Sequence, residues 1–452
     1  MVTLLKKPVH ASAECAVDKI GTFLHTPITS MKVSLAYGRG HIDIELPDER
    51  TTIIEPSHMS GLADERAAVV AALNNPVAAA PLKSQISAKT RIVIVHTDIT
   101  RATPNDRLIP WILAYLESAG ATRENIILLN GLGTHRPNTR DELETMLTKE
   151  VVANYRCINH EPENDDAHVQ FGVTRSGVPA LINRHLAEAD VRIITGFIEP
   201  HFFAGFSGGP KGIMPGAAAL KTVMSNHGAE NIGDRRSTFG ITEGNPIWEE
   251  MRDIALRVGA SFLVNLALNE HRKITGVFAG ELIAAHKVGI EFVRAGAMQK
   301  VEGAFDIVIT TNSGYPLDMN LYQAVKGMRA ADLIVKDGGT VIIAAECCEG
   351  VPAGSPYDKL LRSVKSGEEL LAKVNTPGFV WPEQWQGHIQ SLIQRRADIH
   401  IYTAIDDATV QAAHLIPCRD ISALVRAKLG LNPNGLRIAV LPQGPLTIPY
   451  IA

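Results

Sequence analysis

Residues 196–228, GFIEPHFFAGFSGGPKGIMPGAAALKTVMSNHG, set two histidines, His201 and His227, on either side of one lysine, Lys211. An imidazole can move a proton or bind a metal, and a lysine amine can hold a cofactor covalently. Between them the Gly/Pro-rich stretch 204–216 lets backbone approach a ligand closely. One local segment thus offers a base, a covalent anchor and a metal ligand.

Four further stretches carry chemistry-bearing residues. The sequence HTDITRATP (96–104) follows a buried strand pattern, so Asp98, Thr100 and Arg101 fall at a carboxyl strand end, where open α/β sheets bind ligands. Thr and Arg there suit a phosphate beside a helix N-terminus, and the plain alternative is an ordinary helix cap and turn. GLGTHRP (131–137) puts His135 among glycines at another strand exit; a lone loop histidine is more often inert than catalytic. In LDMNLYQAVKG (317–327), Gln323 and Lys326 are three apart on one helix face, able to hold a carboxylate together or simply to be solvated, with Tyr322 beside them. Trp385 is explained by packing unless a ligand lies near it. Two histidines from two strand-end loops, His135 and His201, can flank one carbon on opposite faces, as stereoinversion requires.

Lys211 has rival readings. The phosphate-loop pattern needs Ser or Thr after the lysine to reach magnesium, but Gly212 stands there and Pro210 precedes it, so that reading fails. A Schiff-base lysine is a second rival. His227 sits where a helix from 215 to 226 would end, with Gly228 as its cap, and a histidine there can also serve merely the helix dipole.

The elements that must position these residues alternate. Short strands with turns at 38–40 and 47–48 fill 31–55; strands are expected at 91–96, 125–129, 191–196 and 261–268, and helices at 105–118, 140–154, 178–187, 215–226 and 245–258. A second cycle opens near 303, with strands at 305–310, 339–345 and 398–403 and helices at 320–333, 357–364, 367–373 and 386–395, and a tail strand at 435–442 could belong to either cycle. Repeated strand–helix order predicts α/β architecture with mainly parallel sheets. A length of 452 residues requires more than one core, so two α/β domains are expected, 31–298 and 299–434, with an active-site cleft between them. Residues 1–30 read as an extension unlike the rest.

Composition excludes several function classes. Hydrophobic residues make up 45% and charged residues 20%, as in globular proteins. A net charge of −4 and 5% aromatics give neither a basic footprint nor a stacking surface for nucleic acid. No apolar run approaches the roughly 20 residues of a membrane helix, and Glu14, Asp18 and Lys19 interrupt any signal core, so the reading is unexported and cytoplasmic. The five cysteines form no C-x-x-C pair, which fits a reducing compartment.

The segment with His201, Lys211 and His227, together with D-x-T-R-x-x-P at 98–104, G-x-x-x-H-R at 131–136 and Y-Q-A-x-K at 322–326, resembles the signatures of the nickel-pincer lactate racemase family. Several separated motifs agree in order from about residue 35 onward. The resemblance implies a racemase or epimerase of a lactate-like 2-hydroxy acid, working by hydride transfer. It implies a pyridinium-3-thioamide-5-thiocarboxylic acid mononucleotide linked to Lys211 and chelating nickel, with His227 as the protein's nickel ligand. It makes His135 and His201 the acid–base pair and Arg101 a charge stabiliser. Asp98, Thr100, Arg101 and Trp385 lie by the cofactor, and Gln323, Lys326 and Tyr322 by the substrate. It further implies cofactor-making enzymes as partners and a tail, 435–452, that rejoins the first domain. The residues alone leave two alternatives open: a zinc hydrolase built on His135, His201 and His227, although H-E-x-x-H is missing, and a non-catalytic nucleotide carrier.

Overall fold

The computed structural model describes residues 29–432 and 435–451, so nearly all of the expected extension lies outside the described residues. Two six-stranded sheets organise the chain. The first runs in the order Ile274–Glu281, Phe262–Leu268, Val191–Phe197, Ile92–His96, Ile126–Asn130, Arg156–Asn159. Every neighbouring pair is parallel except Ile274–Glu281 against Phe262–Leu268. The strand Ile92–His96 is buried at every position. Ile92 and Ile94 join the apolar layer of Leu108, Ile109 and Ile112 from the helix Asn105–Ser118, whereas Val93 and Val95 join the layer that holds Met251 and Ile254 from Pro246–Val258. Helices therefore cover both faces, which is why the strand reads as an unbroken apolar run.

The second sheet is wholly parallel, in the order Ile416–Cys418, Ala397–Tyr402, Val335–Ala344, Phe305–Thr311, Ile438–Leu441, Thr51–Ile53. Asn320 caps the helix Leu321–Asp332 by accepting from the Gln323 N–H at 3.1 Å. That helix buries Leu321, Ala324, Val325 and Met328, which leaves Gln323 and Lys326 on a half-buried flank. Among the described residues no helix is long and apolar enough to cross a membrane.

Several expected elements take another form. The helix expected at 178–187 is a strand, Pro179–Asn183, paired antiparallel with His168–Val173, followed by the short helix Arg184–Glu188. Its central Ala-Leu-Ile run suits either state, and edge pairing decides it. The helix expected from Pro215 begins only at Leu220, because 217–219 is tied to that strand: Asn183 N–H reaches Ala217 O at 2.8 Å and Ala219 N–H reaches Leu181 O at 3.0 Å. The stretch 140–154 divides at Thr148, whose φ of 81° ends one helix while its hydroxyl caps the next. The helix Leu282–Ala297 and the strand before it went unread.

The tail does not rejoin the first sheet. Ile438–Leu441 lies between Phe305–Thr311 and Thr51–Ile53, and Ile448–Ile451 pairs with Met298–Val301. The hairpin of Ser30–Tyr37 and Gly40–Pro47 also packs here, with Leu35 and Leu46 sharing a core with Ile307, Ile309 and Ile438. Apolar matching on the sheet face wins over sequence proximity. Because Ile438 is fully buried in that core, Ile438→Ala is expected to destabilise the protein by about 2–5 kcal/mol. Chemical denaturation checks this; a loss below about 0.5 kcal/mol would mean the tail is a surface attachment.

Candidate active site

A cavity of about 150 Å³ lies where the carboxyl ends of the first sheet's strands meet the helices of the second unit. Three adjacent parallel strands feed it. The loop after Ile92–His96 brings Asp98 and Arg101, the loop after Ile126–Asn130 brings His135, and the segment after Val191–Phe197 brings His201. This is the strand-end position at which open parallel sheets bind ligands. Backbone bonds fix the loops to one another: Gly131 N–H donates to His96 O at 2.8 Å and Gly133 N–H to Gly216 O at 3.0 Å.

Lys211 sits in a short turn, Gly209–Gly212, pinned by Asn265. The Asn265 carbonyl oxygen accepts the Gly209 N–H at 2.8 Å. Gly208 and Gly209 have φ of 77° and 55°, and a Cβ on either would come within 2.3 Å of Asn265 or of His286. Only glycine allows both the left-handed backbone and that approach. From the second unit, Tyr322, Gln323 and Lys326 line the cavity on the helix Leu321–Asp332, and Trp385 does so at the start of Gln384–Gln394. The Trp385 indole N–H donates to the Tyr322 hydroxyl at 3.1 Å, and the Trp385 ring meets His227 edge-on at 5.2 Å.

All the candidate residues line this cavity except Thr100. Thr100, expected as a cofactor contact, donates its N–H and hydroxyl to one oxygen of Asp98, at 2.8 and 2.6 Å. The other Asp98 oxygen faces His135 Nδ1 at 3.1 Å. Burial alone would raise the Asp98 carboxyl, but the bond to His135, the Arg101 guanidinium and Thr100 hold it well below the usual carboxylate range.

Burial dominates the remaining groups. Loss of water, then Arg101 and Lys326, pushes the Lys211 amine down to about 7. Loss of water and Arg101 bring Lys326 to about 8. His227 falls to about 3 through burial and Lys211. His201 lies well below its ordinary value, from burial first and then the neighbouring cations. Sequence reasoning missed Glu199, a cavity-lining carboxylate that burial raises despite Lys326, Arg101 and Lys211. Its signal was its place two residues before His201 in an extended segment, hence on the same side. Asn265 was also missed, and its signal was a lone amide in the apolar strand FLVNLAL.

A group held on Lys211 with a metal against His227 fits these residues. A neutral amine is a nucleophile. His227 Nδ1 lies 2.9 Å from the Asn226 side-chain oxygen, whose amide nitrogen is committed to Ile247 O and Glu250. Nδ1 therefore carries the ring proton, and Nε2 keeps its lone pair for a metal. The trihistidine zinc centre is not assembled: among the described residues, no three His, Cys, Asp or Glu side chains form a group able to hold one ion.

Comparison with known proteins gives a consistent picture. The lactate racemase N-terminal domain matches residues 37–240, and the lactate racemase C-terminal domain matches residues 300–448. Lactate racemase of Thermoanaerobacterium thermosaccharolyticum is 33% identical over 418 residues, covering 91% of this chain and 97% of that protein. Lactate racemase of Lactiplantibacillus plantarum is 33% identical over 419 residues, covering 91% and 98%. The structure of the Thermoanaerobacterium apoprotein superposes with a TM-score of 0.86 at 33% identity over 93% of this chain and 100% of that one. A Thermotoga maritima protein, 18% identical, shares the fold alone, with a TM-score of 0.66 over 87% of this chain and 100% of that one. The chain belongs to the lactate racemase family and is a racemase, an isomerase.

Proposed function

We propose that the protein inverts C2 of a small, lactate-like 2-hydroxy acid, using a nickel-pincer nucleotide held covalently on Lys211 with its nickel bound by His227. The observation that carries this reading is one cavity containing a low-pKa lysine, a histidine with a free Nε2 lone pair, two further histidines and a Gln–Lys pair. When bound, the pyridinium ring supplies an acceptor and donor of hydride at C2.

The chain's own residues do the rest. Lys326 and Gln323 bind the substrate carboxylate from one helix face. His135 and His201 provide acid–base function at the 2-hydroxyl. Arg101 stabilises the negative charge that develops on that oxygen in a site with little water. Trp385 and Phe203 pack edge-on against the His227 ring, with centroids 5.2 and 4.9 Å away, and so fix its position. Glu199 faces the charges of Lys326, Arg101 and Lys211 and offsets part of them. The substrate is a small molecule, and the nucleotide comes from separate cofactor-making enzymes acting in the same compartment, read as the cytoplasm.

Two outcomes test this reading. Co-production with the cofactor-making enzymes should give a mass increase and near-stoichiometric nickel that Lys211→Ala abolishes. Because the amine is neutral above about 7, the rate of adduct formation should rise with pH through about 7 and then level off. Intact mass over a pH series measures both, and a folded protein with neither adduct nor nickel would shift the reading to a non-catalytic nucleotide carrier. Asn226→Ala removes the acceptor that orients His227. It should leave the adduct mass unchanged but weaken nickel binding by about 10–100-fold, read by metal analysis after competition with a chelator.

A further inference from the structure

Asp318 is the one carboxylate of the stretch LDMNLYQAVKG, and it does not line the cavity. It is fully buried, three residues ahead of the helix that carries Tyr322, Gln323 and Lys326. Its Oδ2 accepts two backbone N–H groups, from Gly38 at 2.7 Å and from Glu346 at 3.0 Å. Gly38 lies in the turn between Ser30–Tyr37 and Gly40–Pro47, and Glu346 follows the strand Val335–Ala344. One oxygen therefore ties together three stretches far apart in sequence. Removing it would strand two donors away from water.

Backbone bonds continue this clamp on both sides. Tyr315 N–H donates to Gly38 O at 2.7 Å, Cys347 N–H to Asp318 O at 2.9 Å, and Leu321 N–H to Gly350 O at 3.0 Å. The Arg39 guanidinium lies 3.8 Å over the Tyr315 ring as an outer latch. Residues 314–321 are thus gripped between the hairpin turn and the loop 346–350, up to the first residue of the helix. Further along, Gly327 packs so tightly on the end of Phe305–Thr311 that a Cβ there would come within 2.1 Å of Thr311 O. At the first turn, Trp385 and Gln386 bond Tyr322 from the neighbouring helix, and the clamp holds the entry side, next to Gln323.

We propose that Asp318 is a positioning residue for the substrate: through residues 319–322 it places Gln323 and Lys326, which makes the hairpin turn 38–40 part of the substrate-binding apparatus. The inference rests on the reading above, in which that pair holds the substrate carboxylate. An amide and an ammonium grip one carboxylate only while their spacing matches it. Lys211 and His227 stand on the other unit, so loosening the clamp reaches substrate binding without reaching the cofactor anchor.

Steady-state rates of loaded enzyme test this. Asp318→Ala should raise KM about 10–100-fold, the weight of an aligned hydrogen bond to a charged group. It should leave kcat near its wild-type value, as expected when only binding is lost, with Lys211 adduct mass and nickel content unchanged. Asp318→Asn can still offer one oxygen to both N–H groups, with its NH₂ in place of Oδ1, which has no partner among the described residues. It should lose stability yet recover most of the KM. An unchanged KM in folded Asp318→Ala, or an Asn variant as impaired as the Ala one, would overturn the proposal. If Asp318→Ala does not fold, Arg39→Ala removes the outer latch from an exposed position. KM should then rise about two- to fivefold at constant kcat, and no rise overturns the proposal. Wild-type protein that turns over no 2-hydroxy acid counts against the racemase reading alone. Hydrogen exchange at the Leu321 amide of cofactor-free protein then decides the clamp: faster in either variant than in wild type supports it, and equal rates overturn it.

Discussion

Exclusion of water from a cavity that holds Arg101, Lys211 and Lys326 sets the protonation state of nearly every group around it. In water these three would all be charged; packed together with little solvent, each raises the cost of the others' charge. The lysines therefore move toward neutrality, and His201 and His227 are driven neutral outright. Asp98 runs the other way because its two oxygens are saturated by Thr100 and His135. The site thus divides into groups stripped of charge by burial and one carboxylate whose charge is secured by hydrogen bonds. The two sheets matter chiefly because their packing brings these groups to one cavity.

Much of this arrangement was legible in the sequence. The strands Ile92–His96 and Phe305–Thr311 announced themselves as apolar runs, and the His, Lys and Asp candidates fell at the strand exits where a parallel sheet offers a site. What stayed hidden shares one physical cause: it depended on partners distant in sequence. Pro179–Asn183 is a strand because His168–Val173 lies beside it, and Leu220–Asn226 starts late because that same strand claims 217–219. Glu199 escaped notice because a glutamate is ordinarily a surface residue, whereas here it lines the cavity together with Lys326 of the second unit.

Each imidazole in the cavity takes its chemistry from the partner of Nδ1: a carboxylate for His135, a backbone amide for His201, a side-chain carbonyl for His227. Residue type says only that a nitrogen is available; the neighbour decides whether that nitrogen offers a proton or an electron pair. A motif that lists three histidines therefore underdetermines the chemistry, and the residues that complete it are Asp98, Asn226 and the peptide group of Ala204.

The strand Ile438–Leu441, wedged between Phe305–Thr311 and Thr51–Ile53, also orders assembly in time. As the ribosome delivers the chain, the strands and helices from about 65 to 297 have all their sheet partners available and can close as a unit. Thr51–Ile53 must wait, unpaired, through almost the whole of translation for the neighbour that completes its ladder. The half that carries Lys211 and His227 is thus built first, and Gln323, Lys326 and Trp385 arrive over a pocket whose floor is already laid. Slow pairing across so long a loop leaves that edge strand exposed in the nascent chain, which makes 51–53 the point where a chaperone would have most to protect.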